Sequence, residues 1–406
     1  MPGPGTRRTT VIGAAALAAA LTLTSCGKDD AAPQPVSLSA PAGPAGTSFW
    51  AVEEQPPADA KAGDIFRVQP RSDAPAGAQG WNVVYVSEIQ PGVKRYVSGE
   101  IYAPLGRGSE PRDMVLWNHE TTGLADNCAP SRRSMYDGDR PRVPAIEAML
   151  EAGHVVAMSD YPGQGLPGPA YYMVGEVNAR AALDMLRAVQ RLPELNATKR
   201  FVEYGWSQGG QTTMRVESIA RSYAPEFEGV GAALIAPAVR IRDLTANSMR
   251  GPANAGYVIS TLPGIKAAHP DLRYQDFLTP TAMEMLPALA EGCFDIWDAA
   301  APLRDSYQPT ALTPGSTWWN ALTAVDDWRP AGAMPFAVYQ GADDITTPAE
   351  LTGRERTALC KAGVPVEYNE FPGQDHETVV PTAADRFPAW AADRFAGRPA
   401  PSNCPR

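Results

Sequence analysis

Phe201-Val202-Glu203-Tyr204-Gly205-Trp206-Ser207-Gln208-Gly209-Gly210 is the stretch on which the reading of this 406-residue chain turns. A mostly apolar run reaches Gly-x-Ser-x-Gly, and a helical pattern follows over Gln208–Tyr223. A strand that becomes a helix within so few residues forces Ser207 into a strained backbone conformation and lifts its hydroxyl above the end of a sheet, the arrangement of a nucleophile elbow. Gly205 and Gly209 are needed because side chains there would meet neighbouring backbone. The same turn sets the Gln208 N–H at a helix N-terminus, where partial positive charge favours a developing oxyanion. The bare five-residue pattern is common by chance. The strand before it and the helix after it make it specific.

Outward from the elbow, strand and helix patterns alternate. Met114–Trp117, Val155–Ser159, Phe201–Tyr204, Gly231–Ile235 and Phe336–Tyr339 are short apolar runs suited to buried strands of a parallel sheet. Asn82–Ser87 and Arg95–Tyr102 read as an antiparallel pair ahead of them. Helical patterns fall at Val143–Ala152, Val177–Leu192, Gln208–Tyr223 and Ala349–Ala362, with Val364–Phe371 as the last strand and Thr382–Phe395 as the closing helix. This alternation predicts an α/β fold with a mostly parallel central sheet flanked by helices. Residues 238–330 break the rhythm. They are rich in Met, Trp and Leu, mostly helical in pattern, and lie between two core strands, so they read as a helical cap inserted over the C-terminal edge of the sheet.

On such a sheet, partners of the serine are expected in the order Ser, acid, His. The chain has four histidines, and only His269 and His376 follow Ser207. His269 lies within the insertion beside Pro270, whereas His376 lies in the loop Phe371-Pro372-Gly373-Gln374-Asp375-His376 after the last strand. The acid is sought after Phe336–Tyr339, where Asp343 and Asp344 are adjacent. Adjacent side chains point different ways, so only one can face the imidazole. The spacing Gly-x-x-Asp-x-x-x-Pro selects Asp344, leaving Asp343 to cap the helix near Pro348. The expected chemistry is attack by Ser207 on a carboxylic ester, with His376 as base and Asp344 orienting the ring. A second oxyanion donor should come from the loop after Met114–Trp117. The same groups could serve a peptidase or an acyltransferase, and a surface binding protein without activity is the reading from another class. The scattered histidines lack metal-ligand spacing, so neither a metal nor another cofactor is expected.

The N-terminus reads as an export signal. Arg7 and Arg8 precede the apolar run Val11–Leu23, which is too short to span a bilayer. The paired arginines resemble a twin-arginine signal, and Leu23-Thr24-Ser25-Cys26 resembles a bacterial lipobox. Residues 1–25 are therefore expected to be a lipoprotein signal peptide. Cys26 would be an acylated anchor on the outer face of the cell membrane, failing which the protein would be secreted. Residues 26–47, rich in Ala, Pro and Gly, read as a flexible tether, and 48–404 as the catalytic domain. Beyond residue 25 there are 33 basic and 45 acidic residues, a net charge of −12 that leaves no basic stripe for nucleic acid. With Cys26 acylated, Cys128, Cys293, Cys360 and Cys404 remain. An even number suits an oxidising compartment, and three pairings are open.

The loop Trp117-Asn118-His119-Glu120-Thr121-Thr122-Gly123, with Cys128-Ala129-Pro130-Ser131 after it, resembles the His-Gly-Thr-Thr-Gly…Cys-Ala-Pro-Ser loop of the secretory lipases. These are the lipase A-like branch of the α/β-hydrolases. Asp160-Tyr161-Pro162-Gly163-Gln164-Gly165 is similar to that family's Asp-Tyr-x-Gly-x-Gly segment, and the resemblance runs from Ser48 to Cys404. It implies an α/β-hydrolase fold with a helical cap and hydrolysis of esters, usually acylglycerols. It also implies Thr121 as the second oxyanion N–H beside Gln208, and disulfides Cys128–Cys293 and Cys360–Cys404. One residue departs from the pattern: Glu120 stands where the family has glycine. Glutamate resists conformations that glycine allows, and a carboxylate beside a developing oxyanion is unfavourable. Either Glu120 faces solvent or the cap, or the site prefers a cationic or polar substrate.

Overall fold

The computed structural model describes residues 34–52, 55–108, 110–136, 143–250, 255–294, 306–332 and 334–405. The expected signal segment and Cys26 lie outside the described residues. The strands are β1 (Ile65–Arg71), β2 (Ala78–Gln90), β3 (Val93–Pro104), β4 (Arg112–Asn118), β5 (Val155–Ser159), β6 (Ala197–Trp206), β7 (Glu228–Ile235), β8 (Phe336–Gly341) and β9 (Val366–Phe371). They form one sheet in the order β1-β2-β3-β5-β4-β6-β7-β8-β9. Pairing is antiparallel from β1 through β3 to β5 and parallel from β5 to β9. β1 carries Arg67, Pro70 and Arg71 instead of an apolar run, which an edge strand tolerates. That composition hid it from the sequence reading.

The helices are α1 (Val143–Glu151), α2 (Gly175–Gln190), α3 (Gln208–Tyr223), α4 (Ile241–Ser248), α5 (Ala255–Ala268), α6 (Pro280–Met283), α7 (Leu286–Ala290), α8 (Thr317–Asp326), α9 (Ala349–Lys361) and α10 (Val379–Phe395). The central strands are buried on both faces, as their unbroken apolar runs require. Met114 and Leu116 of β4 face Leu183 and Leu186 of α2 and Val216 of α3. The alternate residues Val115 and Trp117 face Ile146 of α1 and Phe387 of α10. Helices α4–α8 lie between β7 and β8, and Leu262, Phe277, Trp318 and Leu322 are buried in a cluster shared with Leu124, Tyr172 and Val177 of the core domain.

Residues 34–47, expected within the tether, pack on the sheet edge. The Val68 N–H donates to Pro41 O at 2.9 Å and the Gly43 N–H to Val68 O at 2.8 Å. Val36 and Leu38 rest on the core beneath. A Pro-Ala-rich composition suggested a linker, but the edge strand offers it backbone partners and an apolar floor.

The disulfides pair as the resemblance implied, Cys128–Cys293 and Cys360–Cys404. The first joins the loop after β4 to the insertion. There Gly123 and Cys293 form an antiparallel bridge, flanked by Leu124 N–H to Gly292 O at 3.3 Å and Phe294 N–H to Thr122 O at 3.2 Å. Chain order reverses at β4, since β5 lies on one side of it and β6 on the other. Such a reversal opens a crevice beyond the C-terminal ends of the two diverging strands, β4 and β6.

Candidate active site

Ser207 stands in that crevice with φ 55° and ψ −115°. Strain of this kind persists only where surrounding bonds fix it. The Ser207 N–H donates to Ile235 O at 3.0 Å, and its carbonyl accepts from the Gly210 and Ala238 N–H groups, both at 2.9 Å. A Cβ on Gly205 would lie 2.3 Å from Gly209 O, and one on Gly209 would lie 1.9 Å from Asn118 O. The loop after β4 therefore packs directly on the elbow.

His376, Asp344 and Ser207 meet although they come from three separate loops. His376 Nε2 is 3.0 Å from Ser207 Oγ, and Nδ1 is 2.8 Å from Asp344 Oδ2. Trp206 Nε1–H donates to His376 O at 3.2 Å and steadies the histidine loop from the strand that leads into the elbow. The Asp344 side chain is fully buried. Its Oδ1 accepts from the Thr346 and Thr347 N–H groups at 2.8 and 2.7 Å, and its Oδ2 lies 2.8 Å from Thr347 Oγ1 and 3.3 Å from Gln340 Nε2. Asp343 is exposed and does not cap α9, whose first turn has no side-chain cap. Asp344 itself takes the nearby N–H groups, because the chain turns about its carboxylate before the helix begins.

Thr347 was missed by the sequence reading. Its Oγ1 lies within 2.8 Å of Asp344 Oδ2, 3.0 Å of Ala236 O and 3.1 Å of His376 Nδ1. Only its place before Pro348 in the spacing motif pointed to it. A second unforeseen group lies beneath the loop after β4. Asn118 Nδ2 donates to Glu203 Oε2 at 2.9 Å and Thr213 Oγ1 at 2.8 Å, linking the end of β4 to the strand entering the elbow and the helix leaving it. Burial pushes the Glu203 carboxyl well above the usual carboxylate range, and Glu217 nearby adds to this.

The Gln208 N–H opens α3, so it has no partner four residues back within the helix. Thr121 is buried, with Oγ1 2.9 Å from Tyr172 Oη. Further along, Asp160 accepts from the Ser131 N–H at 3.0 Å and from the Ser131 and Ser98 hydroxyls at 2.5 Å each. Burial, with Glu100 beside it, pushes the Asp160 carboxyl up to about 6. Glu120 is half-buried, not turned fully to solvent, and its charge acts on the Tyr161 phenol. Its φ is not positive, so glycine's freedom is not needed there. A cavity of about 30 Å3 opens beside Ser207, bordered by Tyr172 and Thr347 and by Ile241, Leu244 and Tyr257 of the insertion. Among the described residues, no group of three or more His, Cys, Asp or Glu is placed to hold a metal ion. No helix among them is long and apolar enough to cross a membrane.

A family model described as "Secretory lipase" matches residues 143–301. Lipase 6 of Candida albicans is 24% identical, with 85% of this chain and 80% of that protein covered. A secreted triacylglycerol lipase of Malassezia globosa is 27% identical, with 72% and 68% covered. Among solved structures, lipase A of Candida antarctica in its closed state superposes with a TM-score of 0.72 at 18% identity, covering 85% of this chain and 86% of that one. The rice cell wall degrading esterase LipA of Xanthomonas oryzae superposes with a TM-score of 0.66 at 17% identity, covering 83% and 98%. The sequence matches are thus to secretory lipases, and the superpositions show the α/β-hydrolase fold.

Proposed function

We propose that the chain is a serine carboxylic ester hydrolase, a triacylglycerol lipase or esterase, working through Ser207, His376 and Asp344. The observation that carries this reading is the imidazole of His376, set between Ser207 Oγ at 3.0 Å and Asp344 Oδ2 at 2.8 Å. His376 Nε2 takes the hydroxyl proton as Ser207 Oγ attacks the ester carbonyl carbon, and Asp344 keeps the other proton on Nδ1. The tetrahedral oxyanion is received by the N–H groups of Gln208 and Thr121. The Nε2 proton passes to the leaving alcohol, and water, deprotonated by the same nitrogen, releases the acid from the acyl-enzyme. Helices α4–α8 act as a cap over the acyl side of the site. The names of the relatives support both an acylglycerol substrate and export. The lipobox-like Cys26 extends export to an acylated anchor at the membrane surface.

Hydrolysis of p-nitrophenyl esters, lost in Ser207→Ala, together with fluorophosphonate labelling at Ser207, is the expected result. Folded protein that neither labels nor hydrolyses would overturn the assignment. Mass spectrometry of the mature N-terminus tests the anchor, and an unmodified Cys26 would remove it.

A further inference from the structure

The cavity beside Ser207 is small, and the wall that limits it is bolted in place. Its volume is about 30 Å3, far below the ~150 Å3 of an apolar cavity that takes a benzene ring. Much of the wall is one face of α4, presenting Ile241, Leu244, Thr245 and Ser248, with Tyr257 and Val258 of α5 opposite. A wall that swung away on its own would make the resting volume irrelevant to chain length, but α4 is held on several sides. The Asp326 carboxylate accepts from the Ile241 N–H at 2.5 Å and the Arg242 N–H at 2.9 Å, closing the first turn of α4 against the end of α8. Arg240 Nη1 pairs with Glu355 Oε2 at 3.0 Å and Arg354 Nη2 with Asp243 Oδ2 at 2.9 Å, both reaching core helix α9. Glu355 is buried and Asp326 half-buried, so their ties are less exposed to solvent screening than surface pairs.

We propose that this enzyme is selective for short acyl groups, acetyl to butyryl, with Leu244 on the anchored helix α4 as the residue that sets the limit. The inference rests on the ester-hydrolase reading above. A space far smaller than a benzene-sized cavity leaves room for only a few carbons beyond the carbonyl. Within the limit, each added methylene gains apolar burial worth about fourfold in kcat/KM. Beyond it, a methylene must displace a helix tied to the core, and rate falls.

The test is kcat/KM of the exported domain on soluble p-nitrophenyl esters from acetate to laurate. The wild-type protein should peak at propionate or butyrate and fall at least tenfold by octanoate. Leu244→Ala should move the peak to hexanoate or longer, and Ser248→Leu, which fills the cavity, should confine turnover to acetate. A wild-type optimum at octanoate or beyond would overturn the limit without any variant, and an unshifted peak in folded Leu244→Ala would remove Leu244 from it. Absence of turnover at every length, with no fluorophosphonate labelling of Ser207, would instead bring down the hydrolase reading and the length limit with it.

Discussion

Asp344→Asn is the sharpest probe of the site, because the surroundings dictate how the new amide must sit. Every group that faces the Asp344 carboxylate within hydrogen-bond distance can donate. Thr346 N–H and Thr347 N–H meet Oδ1, while the Thr347 hydroxyl, Gln340 Nε2 and His376 Nδ1 meet Oδ2. An asparagine has one acceptor oxygen. Turning its NH2 toward the two backbone N–H groups would leave both buried and unpaired, at about 1–3 kcal/mol each. The oxygen therefore stays with them, and the NH2 takes the Oδ2 position and points at His376 Nδ1. That nitrogen must then accept, which moves the ring proton to Nε2, the atom facing Ser207 Oγ at 3.0 Å. A base already protonated on its working nitrogen cannot take the serine proton. We expect kcat to fall about 10⁴-fold, or ~5 kcal/mol in barrier, with KM nearly unchanged. The assay is steady-state hydrolysis of p-nitrophenyl butyrate, with the melting temperature as a check on folding. Asp343→Asn, altering an exposed side chain, should stay within about twofold of wild type. Folded Asp344→Asn retaining a tenth of wild-type kcat would refute the assigned role.

Gly209→Ala should cost about 100-fold in kcat and lower the melting temperature. The new methyl would fall 1.9 Å from Asn118 O, a backbone atom, so the loop after β4 must retreat by roughly an ångström. Replacing both Cys128 and Cys293 by Ser should lower stability by ~2–5 kcal/mol and also kcat, since that bridge holds the loop carrying Thr121. The Cys360/Cys404 pair of substitutions should lower the melting temperature alone, because that bridge ties the tail to α9. Asp160 titrates near 6 in the folded protein against an ordinary value of 3.8, so the folded state binds the proton more tightly. Its contribution to stability is present below about pH 4 and is lost as pH rises through 6, on the order of 3 kcal/mol for this fully buried group. Asp160→Asn should flatten urea stability between pH 4 and 7 relative to wild type, and an unchanged slope would discount the shift.

Much of this was legible in the sequence because local pattern and global fold agree at the relevant places. The elbow combines an apolar strand, two glycines without room for a Cβ and a helix start. α3 accordingly spans Gln208–Tyr223 as its pattern predicted. His376 and Asp344 could be sought by chain order alone. What escaped depends on contacts between distant segments. β1 is held by edge pairing, residues 34–47 by the floor they cover, and Thr347, Asn118 and Glu203 by bonds that no spacing records. Asp343 was assigned a cap on proximity, but a helix start is decided by which acceptor the turning backbone reaches first.

The groups assigned to the chemistry sit on loops at the ends of β4, β6, β8 and β9, whereas much of the cavity wall comes from one continuous run between β7 and β8. On the proposed length limit, reactivity and selectivity are written largely on different stretches of chain. Substitution or recombination within residues 238–261 can redirect which acyl groups are accepted while leaving the reacting atoms where they are. The fold can in this way diversify its substrates through one exchangeable module, provided the Asp326 and α9 contacts that seat it are carried along.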